Sequence, residues 1–189
     1  MIRRTSLIAV AAVGLLFACS SLLAQDAGQR ASELAASLDK TKYKKKEKRN
    51  FSFEFYIDIK NVSAERPDAT QYSGHYWADQ NWLDLRVSAN GAAEGSGYDR
   101  SMINNKQMSF TLREARISGA LLTATKVYGN GEIKPFEGVF VERTVNQGKN
   151  VNTIESRQTM FGLGYIENGS RSEAGVSNNW TNRMFLEKR

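Results

Sequence analysis

Between Phe51 and Lys60 the chain alternates without a break. Phe51, Phe53, Phe55, Ile57 and Ile59 take every second position, and Ser52, Glu54, Tyr56, Asp58 and Lys60 fill the others. Successive side chains of a β-strand leave on opposite sides, so a period of two marks a strand with one face buried and one wet. The same period returns repeatedly downstream. Gln71 to Trp77 reads as a strand with Tyr72, Gly74 and Tyr76 on one face, and Leu83, Leu85 and Val87 make the next. Ala93 to Tyr98 is a glycine-rich strand in which Gly95 and Gly97 share a side, as at a tight bend or a close backbone approach. Met108, Phe110 and Leu112 alternate, and Ala115 to Ser118 continues that strand or begins another. Leu121 to Val127 and Phe136 to Thr144 follow. Thr153 to Ile166 holds one more strand, ended by Asn168-Gly169. Arg183 to Glu187 closes the sheet after a polar loop.

The connections between these strands are short. Asn90-Gly91 and Asn130-Gly131 are two-residue hairpin signals, Pro67-Asp68 marks a turn, and Gln147 to Asn152 is a polar turn. Parallel crossovers need a dozen or more residues, so turns this tight specify antiparallel neighbours. The expected fold is therefore mainly β: an up-and-down antiparallel sheet curled into a small barrel, with a β-sandwich as the alternative. Residues 50–189 form that single domain. About 140 residues suffice for one core without covalent staples.

The segment before it is different. Met1-Ile2-Arg3-Arg4 followed by an apolar run from Leu7 to Phe17 has the order of a secretory signal, and the run is too short to span a bilayer comfortably. Two exits compete. Cleavage after Ala24 would leave Gln25 first and make residues 1–24 the signal peptide. Leu16-Phe17-Ala18-Cys19 resembles a lipoprotein box, which makes Cys19 the lipidation candidate. Cys19 is the only cysteine, so no disulfide framework or thiolate metal site is available. Residues 25–49 read as a short helix and a basic linker. Ala31, Leu34, Ala35 and Leu38 fall at helical spacing.

The net charge of +6 is local. Residues 40–49 carry seven basic side chains and one acidic, whereas residues 50–189 hold 16 Lys or Arg against 16 Asp or Glu. A neutral domain gives no field for nucleic acid, so none is expected as a partner. Lys42, Lys44, Lys45, Lys46, Lys48 and Arg49 form instead a tag for an anionic lipid surface, where each charge contributes about 1 kcal/mol.

Two stretches, Ile117-Ser118-Gly119-Ala120-Leu121-Leu122-Thr123-Ala124-Thr125-Lys126-Val127-Tyr128 and Pro135-Phe136-Glu137-Gly138-Val139-Phe140-Val141-Glu142-Arg143-Thr144, resemble a group of exported bacterial proteins of unknown function. Residues 38–48 and Phe161-Gly162-Leu163-Gly164 look like the same group, so the similarity covers most of the chain after the signal. The resemblance implies export and no particular activity. The strand count is similar to that of lipocalins in architecture only. Their Gly-x-Trp is replaced by Gly74-His75-Tyr76-Trp77, which turns the Trp to the other face.

Catalytic apparatus is sparse. His75 is the sole histidine and reads as an exposed strand residue. No Gly-x-Ser-x-Gly elbow, calcium loop or phosphate-cradling turn occurs, and no metal or cofactor is implied. Asp84, Glu94 and Asp99 sit at positions typical of a wet face. The aromatics Tyr72, Tyr76, Trp77 and Trp82 are the candidate ligand-binding residues, because clustered rings stack on sugars or line apolar pockets. The chain thus reads as an exported, non-enzymatic envelope protein in the periplasm, at the outer membrane or outside the cell. It binds an apolar ligand, a glycan or an envelope protein. The alternative is a structural or assembly protein held by its basic segment and a lipid.

Overall fold

A computed structural model of the chain describes residues 26–38, 56–61, 68–100, 107–147, 156–173 and 176–189. The expected signal, Cys19 and the basic residues Lys42, Lys44, Lys45, Lys46, Lys48 and Arg49 lie outside the described residues, as do residues 51–55 and Pro67. Helix α1 spans residues 26–38. The strands are β1 (Tyr56–Asn61), β2 (Gly74–Ala78), β3 (Asn81–Val87), β4 (Ala93–Arg100), β5 (Gln107–Ser118), β6 (Leu121–Tyr128), β7 (Ile133–Gln147), β8 (Ser156–Glu173) and β9 (Val176–Lys188).

Strands β2 to β9 pair in chain order, each antiparallel to the next, and β9 returns to β2. The sheet therefore closes as an eight-stranded up-and-down barrel, and the sandwich alternative is excluded. The closing seam is short. Tyr76 faces Lys188, Trp77 faces Glu187, and the Arg189 amide donates to the His75 carbonyl at 2.9 Å. Strand β1 pairs with β7 from Asn61↔Val141 to Tyr56↔Asn146. There β6 has already ended at Leu121↔Val139, so β1 takes over an edge that would otherwise be open.

Cross-strand partners share a face. On the inward face Tyr76, Leu83, Gly97, Phe110 and Tyr128 follow one another around the barrel by register. Phe140 and Leu163 face each other further on. Tyr72, Tyr76, Leu83, Leu122, Phe140, Leu163 and Tyr165 are all buried to 1% exposure or less, so the lumen is a filled core over the described residues. A Cβ at Gly97 would sit 2.7 Å from the Phe110 ring and overlap the Trp82 carbonyl. The expected close approach is this one: only glycine lets β4 pass the inner ring.

One outward patch is also buried. Leu121, Val139 and Val141 point away from the lumen yet have 5% exposure or less. Helix α1 lies over this face. A Cβ at Gly164, the partner of Val139, would overlap Leu38. Arg30 pairs with Glu137 at 2.7 Å, and Arg183 donates to the Ser37 carbonyl at 2.9 Å. Ala31, Leu34, Ala35 and Leu38, the helically spaced residues, are the buried stripe of α1. Such a short helix is marginal alone and persists because this stripe is packed.

Three local expectations change, and one left open is decided. Tyr72 does not begin a strand. It ends a 3-10 turn, Ala69–Tyr72, started by Asp68, whose carboxylate accepts from the Thr70 amide at 2.9 Å. The Asn-Gly loops are not two-residue turns. Gly91 and Gly131 have φ of 79° and 86°, their amides donate to Ser88 and Tyr128, and neither Asn90 nor Asn130 has positive φ. Both are three-residue loops in which the glycine forms a bulge. Among the described residues the two-residue loops are Asp79-Gln80 and Gly119-Ala120, where the first residue takes positive φ. Strand β8 runs through Asn168-Gly169 to Glu173 and pairs with β9 as far as Val176, where a polar loop was expected. Residues 167–182 carry no apolar alternation in sequence, and the backbone ladder forms there without that signal. Finally, Ala115 to Ser118 continues β5 across a bulge between Arg113 and Arg116, with Glu114 at φ 53°.

Candidate functional site

The four aromatics singled out in the sequence separate onto two faces. Tyr72 and Tyr76 point inward and are fully buried. Tyr72 stacks on Phe140 at 4.3 Å, and the Tyr76 hydroxyl donates to the Tyr72 carbonyl. They are core, not ligand contacts, because the turn and the inward parity of β2 carry both rings onto Phe140. Trp77 and Trp82 point outward and are direct cross-strand partners.

Register extends the outward pair into a row. Trp77 faces Trp82, Trp82 faces Tyr98, and Tyr98 faces Ser109, across β2 to β5. The Trp82 and Tyr98 rings lie 5.1 Å apart at 48°. Tyr98 is 38% exposed. The Arg189 guanidinium lies 4.0 Å above the Trp77 ring, Trp82 is half-buried, and Tyr98 is the exposed ring of the row. Tyr98 was not among the expected ligand contacts. The signal for it was present: a hairpin centred on Asn90 places residues 82 and 98 opposite each other.

The next row, two residues along each strand, is polar: His75, Asp84, Ser96 and Thr111 are mutual partners in sequence. His75 Nδ1 lies 2.6 Å from Asp84 Oδ1, and both side chains are exposed. The pair sets the His75 ring 5.8 Å from Trp82. A third row brings Arg86 opposite Glu94. Two shallow grooves overlie these rows. One of about 430 Å³ is lined by Trp82, Ser96, Tyr98, Ser109, Thr111 and Val127. The other, about 760 Å³, is lined by Ser73, Asp84, Arg86, Glu94 and Ser96. They meet at Ser96.

The interior holds a second polar group. Asp99 was expected on a wet face and is instead buried, because β4 keeps its inward parity past Gly97. Its carboxylate accepts from Lys126 Nζ and the Tyr128 hydroxyl, both at 2.7 Å. The Lys126 ammonium also sits over the rings of Phe110, Phe136 and Tyr165, at 4.4, 4.5 and 5.0 Å. Burial, with Asp99 second, pushes the Glu167 carboxyl above its ordinary range and raises the Tyr128 and Tyr165 hydroxyls likewise. Lys126 and Asp99 have side chains only 5% and 10% exposed. The enclosed pair ties β4 to β6, and Lys126 reaches β8 through the Tyr165 ring. Among the described residues no group of three His, Cys, Asp or Glu is placed to hold a metal ion. None of the described helices is long and apolar enough to cross a membrane.

Fold and surface together define a class: a closed up-and-down β-barrel whose lumen is filled over the described residues, with an outer helix and an outward row of aromatics beside a row of hydroxyl and carboxylate groups. Among known proteins no family model matches the chain, and neither a curated protein nor a solved structure matches it.

Proposed function

We propose that this chain is an exported, non-enzymatic binding protein of the cell envelope, and that it holds its partner on the outward face of β2 to β5. The observation that carries this reading is the partly exposed Trp82–Tyr98 pair beside a polar row on a barrel whose interior, over the described residues, is occupied by its own side chains. Aromatic side chains with polar tips, set on rigid strands, supply contact area at low entropic cost. The filled lumen weighs against an apolar ligand inside it. Asp84, Arg86, Glu94, Arg113 and Arg116 are exposed on the outer face, which suits water rather than acyl chains. Among the described residues Tyr98 and Ile133 are the exposed large apolar side chains. Two separate residues make a poor assembly patch, which favours binding over a purely structural role.

Export and the basic segment belong to the same proposal. A cleaved signal, or a lipid at Cys19, delivers the barrel to the envelope. Residues 40–49 hold it near anionic lipid. The intact mass of the mature protein tests the first part, since a start at lipidated Cys19 and a start at Gln25 differ in mass. Replacing Lys44, Lys45 and Lys46 with Gln tests the second, through weaker sedimentation with anionic liposomes at low salt. For the outer face, the mature protein is mixed with isolated envelopes and the bound fraction measured. Trp82→Ala is expected to weaken retention about tenfold, the scale of one interface anchor. Equal retention would refute the reading.

A further inference from the structure

We infer that the partner of the outer face is an uncharged oligosaccharide chain, lying across β3 to β5 with its rings on Trp82 and Tyr98 and its hydroxyls on Asp84, Ser96 and Thr111. This rests on the outer-face reading above and names its ligand class. Three observations carry it.

The first is the interleaving of chemistry. A sugar ring has an apolar C–H face and a rim of hydroxyls, so it needs an aromatic surface and hydrogen-bonding groups within one ring's breadth. Rows two residues apart on a strand are separated by about 7 Å. The aromatic row and the Asp84–Ser96–Thr111 row have that spacing by register. The exposed Asp84 carboxylate accepts from hydroxyls, and Ser96 and Thr111 both donate and accept.

The second is the angle. The Trp82 and Tyr98 planes differ by 48°. A flat fused-ring ligand cannot lie on both at once. A chain of sugar rings turns about each glycosidic bond and can place successive faces on two tilted rings. The groove over Trp82, Tyr98, Ser109, Thr111 and Val127 reaches across β3 to β6. Four strands at about 4.8 Å separation give a length of about 14 Å, which calls for more than one ring.

The third is charge. Besides the Tyr98 hydroxyl, the ionisable side chains of the two rows are His75 and Asp84, which face each other at 2.6 Å, and a single cation, Arg189, lies over Trp77 at their edge. Arg86 and Glu94 oppose each other in the next row. Recognition of phosphate, sulfate or a polyanion calls for a cluster of Arg or Lys, and these rows do not supply one.

The test uses the mature protein and neutral glucose, mannose, galactose and N-acetylglucosamine oligomers, from disaccharide to hexasaccharide, with neutral oligosaccharides released from envelopes as a further probe. Binding is read by tryptophan fluorescence and calorimetry. Affinity is expected to rise from disaccharide to tetrasaccharide and then level, and to be insensitive to salt. Trp82→Ala is expected to weaken it about tenfold and Thr111→Val severalfold. Tyr98→Ala, at a more exposed position, serves where Trp82→Ala fails to fold. If no oligosaccharide binds or competes while Trp82→Ala still releases the protein from envelopes, the glycan is refuted and the outer face stands. If retention also ignores Trp82 and Tyr98, both fall. Oligosaccharide binding that is unaffected by either substitution refutes the placement.

Discussion

Tyr76 and Trp77 are neighbours in the chain, yet one belongs to the packed lumen and the other to a partly exposed aromatic row on the outer face. Tyr76 joins Tyr72, Phe140 and Phe161 in the lumen, where ring centroids lie 4.3 to 6.2 Å apart and the first three are fully buried. Trp77 joins Trp82 and Tyr98 outside, a row that stays partly exposed across three strands. The same residue types therefore do opposite work on the two faces of one strand. Inside, the rings exchange contact with water for contact with each other and stabilise the fold. Outside, Tyr98 is 38% exposed and Trp82 is half-buried, and the area they leave open is available to a partner.

The comparison is open to attack at several points, and the largest effect belongs to the inner set. Phe140→Ala is expected to cost about 4 kcal/mol in urea denaturation, since it removes a ring from a site with no room to collapse. A cost under about 1 kcal/mol would mean that the lumen is loosely packed. Next comes the enclosed ion pair. Asp99→Ala leaves the Lys126 ammonium without its carboxylate and should cost about 3 kcal/mol, the lower end for such a loss because three rings still face the charge. Replacing both, with Lys126→Met and Asp99→Leu, should recover most of that loss; failure to do so would assign the pair more than a local role.

On the covered outer patch, Leu38→Ala should cost about 2 kcal/mol and speed hydrogen exchange in α1 more than in β3. Uniform exchange would show that α1 and the barrel open together. Glu167 gives a smaller, pH-dependent effect. Its carboxyl ionises at higher pH in the folded chain than in the unfolded one, so the unfolded chain gives up its proton first. Stability is then full below the ordinary carboxylate range and declines as pH rises through the raised value. Glu167→Gln should flatten that decline in denaturation curves taken from acid to neutral pH; an unchanged slope would place its origin elsewhere. Trp82→Ala should move the denaturation midpoint least, by about 1 kcal/mol or less, while releasing the partner. A large loss of stability there would make the outer row a second core and remove the contrast.

The inner side of this contrast was legible and the outer side only half so. Phe110, Leu112, Leu83 and Leu85 announced their strands because burial on one face imposes a period of two. Gly95 and Gly97 announced the close approach. The aromatic cluster was visible as four nearby rings, but nearness in sequence does not say which face each ring takes. Tyr72 required the 3-10 turn to bring it inside, and Tyr98 required the β3–β4 register to join Trp82. Asp99 and Lys126 meet across strands 27 residues apart, and each alone looks like an ordinary solvent-facing charge. The far half of the β8–β9 hairpin, between Ile166 and Arg183, went unseen because its residues carry no apolar period.

Residue order alone settled the class of fold and the direction of the chain through it, because alternation and tight loops are local properties that admit few antiparallel solutions. Closure of β9 onto β2, the docking of α1 on Val139 and Gly164, the sealed Asp99–Lys126 pair and the outward Trp82–Tyr98 row were decided in three dimensions. Each depends on register between segments distant in sequence, and register is fixed by which faces can be buried together rather than by either segment on its own.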